Sequence, residues 1–216
     1  MYKILKNIIE MDDYSVQKLS SQGGGRLPKE YQEVEYIEST GTQYIDTGVN
    51  TDNNLRVAID MQYTNTSVLN NTNMGVIASI SGQYLRYHLM IRDNGNFTFY
   101  YGTRSNTLSA GDQKRHFFDF NTDNGIVKVD NNEFPILEVN PFNTELNFWL
   151  FGRNSNLSNL VFYDSIKLYK AKMYSNGVLV RDFIPCYRKS DNEVGLYDVV
   201  NNVFYVNSGS GDFIYG

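Results

Sequence analysis

The feature that most constrains the fold is an alternation of apolar and other residues with a period of two. Leu55–Tyr63 is the clearest example, with Leu55, Val57, Ile59, Met61 and Tyr63 alternating with Arg56, Ala58, Asp60 and Gln62. Successive residues of a β-strand point to opposite faces of the sheet, so this run predicts a strand with one buried face and one wet face. Between such runs the chain shows no 3.6-residue helical period after Tyr31.

Similar runs recur along the chain and are separated by turn residues. Further β-prone runs occupy residues 75–81, 84–91, 96–102, 115–120, 125–130, 147–152, 165–174, 178–185 and 195–207. The dipeptides Asn176-Gly177 and Asn201-Asn202 are typical of tight hairpin turns. The 17 Tyr and 13 Phe favour strands, while the 17 Gly favour turns. We therefore predict an all-β fold, a two-sheet antiparallel jelly-roll sandwich larger than an immunoglobulin domain.

Charge and cysteine content exclude several classes of function. The net charge is −5, and no block of Lys or Arg is long enough to follow a phosphate backbone, so we expect no nucleic-acid partner. The single cysteine, Cys186, excludes an intrachain disulfide. No run of about 20 apolar residues predicts a membrane span. Lys6, Glu10 and Asp12 interrupt the apolar stretch that a signal peptide needs, so ordinary secretion is not expected.

Residues 1–26 differ from the rest and are predicted to form an N-terminal anchor followed by a Gly-rich hinge. Apolar residues that could share one side of a short helix are predicted to dock on a partner: Ile4, Leu5, Ile8, Ile9 and Met11. A helix this short is marginal alone in water and gains stability by docking. The sequence SSQGGGRLP at residues 20–28 is typical of a flexible linker. A frayed terminus is the alternative interpretation.

Two end motifs carry a resemblance that goes beyond periodicity. Residues 27–216 open with LPKEYQEVEYIESTGTQYIDTG and close with LVRDFIPCYRKSDNEVGLYDVVNNVFYVNSGSGDFIYG. Between them, FWLFGRN and SIKLYKAKMYSNG look like the late strands of the same fold. This region resembles the concanavalin A-like (laminin G-like) jelly-roll module of gut-bacterial and phage surface proteins. The resemblance implies a lectin-like accessory or adhesive domain, which in phages belongs to tail-associated or capsid-surface components.

The sequence offers no catalytic pattern. Sandwich glycoside hydrolases of the laminarinase type place three acids at alternate strand positions, whereas Glu33, Glu35 and Glu38 have a spacing that splits them across two faces. His88 and His116 lie inside predicted strands and are interpreted as structural. No HExxH or paired CxxC motif indicates zinc. We predict no catalytic residue, no metal ligand and no cofactor, with a calcium ion at the rim, as in related sandwiches, left open.

Sugar binding is the chemistry that the sequence supports best. Aromatic faces stack on sugars, while Asn, Asp and Arg side chains bind the hydroxyl groups. The candidate carbohydrate-binding residues come from FYYGTRSN (99–106) and GRNSN (152–156) and are Tyr100, Tyr101, Arg104, Asn106, Arg153 and Asn154.

Alternation in the first of these segments puts Phe97, Phe99 and Tyr101 on one strand face and Tyr100 on the other, so Tyr100 is expected to face outward. Packing of these tyrosines in the core or in a subunit interface is the alternative. Trp149 is expected in the core. In the opening motif, Tyr36, Tyr44 and Ile45 are expected to pack inward, and Glu38 and Asp46 to be solvated.

These observations favour a non-enzymatic structural and adhesive protein of a phage particle. We expect residues 1–26 to dock on other virion proteins, and the sandwich to present a lectin-like surface to host or mucosal glycans. The phage element follows from the resemblance and implies a location on the virion surface after synthesis in the host cytoplasm. The alternatives are an architectural decoration or fibre subunit without glycan, for instance a trimer, a bacterial surface adhesin module and an undetected glycan hydrolase.

Overall fold

The computed structural model describes residues 26–65, 73–92, 94–137, 140–157, 162–163 and 165–216. The predicted docking residues lie outside the described residues: Ile4, Leu5, Ile8, Ile9 and Met11. Arg26, at the end of the predicted hinge, forms an ion pair with the carboxylate of Asp182. Within the described ranges there is no α-helix, and hence no helix that is long and apolar enough to cross a bilayer.

Strands and one short 3₁₀ turn, Thr122–Asn124, make up the regular structure of the described residues. The strands are β1 (Tyr31–Glu33), β2 (Ile37–Glu38), β3 (Ile45–Asp52), β4 (Leu55–Tyr63), β5 (Asn73–Ile80), β6 (Gln83–Ile91), β7 (Asn96–Gly102), β8 (Arg104–Ala110), β9 (Arg115–Asn121), β10 (Ile126–Val129), β11 (Asn132–Pro135), β12 (Asn143–Leu150), β13 (Gly152–Ser155), β14 (Phe162–Tyr163), β15 (Ile166–Ser175), β16 (Val178–Arg188), β17 (Val194–Asp198), β18 (Val203–Val206) and β19 (Ile214–Tyr215).

These strands form two sheets that pack face to face. The first sheet has 11 strands in the order β11-β10-β9-β4-β15-β16-β17-β18, with β1 beside β16, β2 beside β15 and β19 beside β2. The second has eight strands, β14-β13-β5-β6-β7-β8, with β12 linking β5 to β3. The pairings are antiparallel except that of β13 with β5, which is parallel. The predicted all-β, two-sheet sandwich is therefore confirmed.

Aromatic residues dominate the core between the sheets. The largest fully buried side chains are Tyr63, Tyr87, Phe97, Phe99, Phe118, Phe120, Phe148, Phe151 and Phe183. The hydroxyl of Tyr87 donates a 2.7 Å hydrogen bond to the carbonyl oxygen of Leu55, so this buried polar group is satisfied. The apolar face of β4 is buried along its whole length, as its alternation predicted.

Two tyrosines of the opening motif do not pack inward. Ile37 and Ile45 are buried, and adjacent strand residues point to opposite faces, so Tyr36 and Tyr44 are turned outward and only half-buried. Tyr36 instead packs against Tyr169, with ring centroids 5.5 Å apart. The expectation of an inward orientation is thus correct for Ile45 and wrong for Tyr36 and Tyr44.

Candidate functional site

The candidate site lies on the outer face of the second sheet. On β6, Tyr87 and Leu89 are buried in the core, so the alternate residues Tyr84, Arg86 and His88 belong to the outer face. We call these three side chains, together with Tyr100 of the neighbouring strand β7, the outer ladder. Together they place two tyrosine rings around one guanidinium group.

Tyr100 joins the ladder because β7 pairs with β6 in a register that sets Tyr100 opposite His88. The two ring centroids are 4.7 Å apart. Tyr100 is half-buried, whereas Phe99 and Tyr101 on either side of it are buried in the core. The predicted outward orientation of Tyr100 is therefore confirmed.

Arg86 occupies the centre of the ladder. Its guanidinium carbon lies 5.3 Å from the ring centroid of Tyr100 and 5.6 Å from that of Tyr84. Both distances fall within the range of a cation–π contact. The residue opposite Arg86 on β7 is Gly102, which has no side chain to cover the guanidinium. Tyr84 is 52% exposed, so this end of the ladder is open to solvent.

His88 supports the ladder as a neutral ring. Burial lowers the pKa of His88 well below its usual value, and the positive charges of Arg153 and Arg86 lower the pKa further. Its Nδ1 lies 3.3 Å from the carbonyl oxygen of Val76, which partly offsets these effects. The imidazole is thus uncharged near neutral pH, and it backs the Tyr100 ring without adding charge to the face.

A second aromatic pair lies in the same row of the outer face. Trp149 is opposite Gly75, which is opposite His88, so the row continues from Tyr100 across β6 and β5 to β12. At about 4.8 Å per strand, Trp149 and Tyr100 are roughly 14 Å apart along this row. The Trp149 ring stacks on Tyr44, with centroids 3.9 Å apart and an interplanar angle of 23°.

The expectation that Trp149 belongs to the core is wrong. Its neighbours Phe148 and Leu150 take the inward positions of β12, which leaves Trp149 half-buried on the outer face.

Two predicted sugar-binding residues are inside the domain rather than on its surface. Tyr101 is 6% exposed, and its hydroxyl donates a 2.8 Å hydrogen bond to the carbonyl oxygen of Asn53. Asn106 is also 6% exposed; its side-chain amide donates to the Phe99 carbonyl and accepts from the Leu137 N–H. Both side chains are committed to internal contacts, so neither contributes to an outer surface.

The other predicted residues are spread around the sheet. Arg104 is exposed at the start of β8, opposite Tyr101. Arg153 is buried and pairs in register with Gly75, next to His88. Asn154 donates a 2.9 Å hydrogen bond to the carbonyl oxygen of Asn147 and so links β13 to β12. Of the six predicted residues, the sheet thus brings Tyr100 and Arg153 to one row, with the two strands β6 and β5 between them.

Sequence reasoning missed Tyr84 and Arg86, whereas it correctly interpreted His88 as a structural residue. The signal was present in YLRYHL, because alternate positions of a strand share one face and the apolar residues Leu85 and Leu89 mark the buried one. The proximity of Arg86 to Tyr100 carried no such local signal, since it depends on the register between β6 and β7.

Other features of the described residues offer less chemistry. Within the described ranges, no group of three or more His, Cys, Asp or Glu is arranged to hold a metal ion. A pocket of about 370 Å³ lies at one end of the sandwich, with Gln83, Leu85, Thr103 and Phe142 in its lining. None of its lining residues is charged.

Comparison with known proteins gives no relative. No family model matches the chain, and neither a curated protein nor a solved structure matches it.

Proposed function

We propose that this protein is a non-enzymatic structural and adhesive component of a phage particle whose sandwich binds glycans. One observation carries the binding element: the outer ladder presents tyrosine rings and a guanidinium group on one sheet face. Flat aromatic surfaces next to hydrogen-bond donors are the combination that holds sugars in preformed sites. The half-buried Tyr44–Trp149 stack extends the aromatic row beyond the ladder.

The virion element of the proposal rests on the end motifs of the sequence. Their resemblance to concanavalin A-like modules of phage surface proteins supports an adhesive role on host or mucosal surfaces. Docking on other virion proteins is proposed for residues 1–26, whose apolar positions suit a partner surface.

Binding of the full chain to a glycan array, followed by titration of the glycans it retains, tests the glycan-binding element. Tyr100→Ala and Tyr84→Ala should each weaken binding about tenfold, the equivalent of about 1.4 kcal/mol. Tyr215→Ala is the matched control, because Tyr215 is 49% exposed on the other sheet and Tyr84 is 52% exposed. Glycan binding by the ladder would be refuted if no glycan on the array bound the protein, or if all three variants lost the same amount of glycan affinity.

A different surface favours an architectural subunit as the second candidate function. Val200, Val203 and Val206 are 38%, 44% and 39% exposed along the β17–β18 hairpin. Among the described strands β18 pairs with β17 alone, and an apolar edge strand is a template for pairing with another chain. Sedimentation of the full chain separates the two candidate functions. An architectural subunit is favoured if the protein forms an oligomer, if Val203→Lys dissociates that oligomer, and if the protein binds no glycan.

A further inference from the structure

We infer that the outer ladder selects anionic saccharides, with Arg86 binding a carboxylate or sulfate group on the sugar. This inference rests on the proposed glycan-binding function and adds the class of ligand. The tyrosine rings would hold the sugar while the guanidinium binds its charged substituent.

The first observation is that Arg86 has no anionic partner among the residues that the structure describes. In the described part of the chain its guanidinium makes cation–π contacts but no hydrogen bond or ion pair. Arginines on the other sheet are neutralised: Arg56 makes two hydrogen bonds of 2.9 and 2.8 Å to Asp119, and Arg115 makes two of 2.8 and 2.7 Å to Asp60. Arg86 is therefore a half-buried cation whose N–H donors remain available to a ligand.

The second observation is the charge of the surrounding sheet. The four consecutive strands β5, β6, β7 and β8 contain no Asp or Glu, although the whole chain has a net charge of −5. Arg153 of β13 adds a second positive charge near His88. The acidic residues of the described strands of this sheet lie on β3 and β12 (Asp46, Asp52 and Glu145), so the stretch from β5 to β8 is cationic and attracts anions.

The third observation is the geometry around the guanidinium. A guanidinium group is planar and presents its donors as a fork that matches the two oxygens of a carboxylate or sulfate. The rings of Tyr84 and Tyr100 lie close to the Arg86 guanidinium, and contacts of this kind limit its conformational freedom. A limited set of conformations lowers the entropy lost when a ligand binds.

Matched pairs of sugars that differ only in charge test this inference on the full chain. Calorimetric titration would compare sialyllactose with lactose, oligogalacturonate with its methyl ester, and sulfated lactose with lactose. We expect the charged member of at least one pair to bind about 10- to 100-fold more tightly, the range of a charge-assisted hydrogen bond. The pair that shows the difference identifies the group as a carboxylate or a sulfate.

Substitution of Arg86 connects the preference to the ladder. Arg86→Gln should remove the difference between the charged and neutral sugars, while Arg86→Lys, which keeps the charge without the fork, should retain part of it. Because Arg86 makes no ion pair among the described residues, and cation–π contacts at exposed sites contribute about 0.5–1 kcal/mol, both variants should unfold within a few degrees of the parent protein. Lys128→Gln removes an exposed charge from the other sheet and is the control.

The outcomes separate failure of the inference from failure of the proposed function. Equal binding of charged and neutral sugars overturns anion selectivity and leaves glycan binding intact. A preference that Arg86→Gln retains, or that Lys128→Gln reduces equally, also overturns it, since general attraction would then explain the binding. Absence of binding to any glycan, in these pairs and on an array, overturns the proposed function and the inference with it.

Discussion

We expect His116 to stabilise the fold in mildly acidic solution and to lose this effect as the pH rises. Its Nδ1 lies 2.7 Å from a carboxylate oxygen of Asp130, and its Nε2 lies 2.8 Å from one of Asp112. Burial of the ring opposes protonation, but the hydrogen bonds to Asp130 and Asp112 outweigh it and raise the pKa of His116 above its usual 6.5. Lys114, whose ammonium nitrogen lies 3.6 Å from a carboxylate oxygen of Asp112, is a further charged group beside His116 and its two carboxylate partners.

The structure sets the size of the effect. Hydrogen bonds to charged partners contribute about 1.5–3 kcal/mol each when well buried. The side chains of Asp112 and Asp130 are 37% and 45% exposed, so solvent screening reduces this value. We therefore expect His116→Gln to lower the free energy of unfolding by about 1–2 kcal/mol near pH 5.5.

The sign of the pH dependence follows from the raised pKa of His116. The stabilisation is complete below the unfolded-state value of 6.5 and is lost as the pH rises through the higher folded-state pKa. The stability difference between the parent protein and His116→Gln should therefore shrink as the pH rises above 6.5.

Urea unfolding of both proteins at about pH 5.5 and about pH 8.5 measures this difference. The chain has two histidines, so NMR titration of the imidazoles can assign His116 as the ring that disappears in His116→Gln. Asp130→Asn is the control, because it removes the charge but keeps an acceptor for the Phe117 N–H, and it should lower the pKa of His116. If His116→Gln destabilised the protein equally at both pH values, or more at the higher one, stabilisation by charged His116 between Asp112 and Asp130 would be refuted.

Two further expectations concern backbone packing and thiol reactivity. A Cβ at Gly75, where φ is +126°, would lie 2.1 Å from the Tyr87 carbonyl oxygen, whereas one at Gly82, where φ is +79°, would meet nothing within 4 Å. In urea unfolding, Gly75→Ala should therefore lower the free energy of unfolding by at least about 3 kcal/mol, and Gly82→Ala by about 1 kcal/mol. Equal decreases would rule out the close approach of the Tyr87 carbonyl to Gly75. Burial raises the pKa of the Cys186 thiol to about 12, so it should react with a thiol reagent only as fast as the protein unfolds. Rapid labelling of the native protein would contradict this burial.

Local sequence predicted many of the strands and the orientation of most of their side chains, although no predicted run covers β8 or β11. The bounds of β4 coincide with the alternating run Leu55–Tyr63, and the side chain of Tyr100 faces outward as its neighbours required. Both are properties of a single strand, whose period of two is set by backbone geometry alone. The same rule, applied to Ile45 and Phe148, would also have turned Tyr44 and Trp149 outward.

By itself, then, the sequence determined an all-β sandwich and the inner and outer faces of the strands with a clear alternation, such as β4. Only the tertiary structure decided which outward side chains meet. Arg86 lies beside Tyr100 because β6 pairs with β7 in one register, and Trp149 enters the same row because β12 pairs with β5 from a distant part of the chain. A one-residue slip would exchange the two faces of a strand, so burial of the whole core selects these registers. That choice depends on all the packed residues together, and no local pattern contains it.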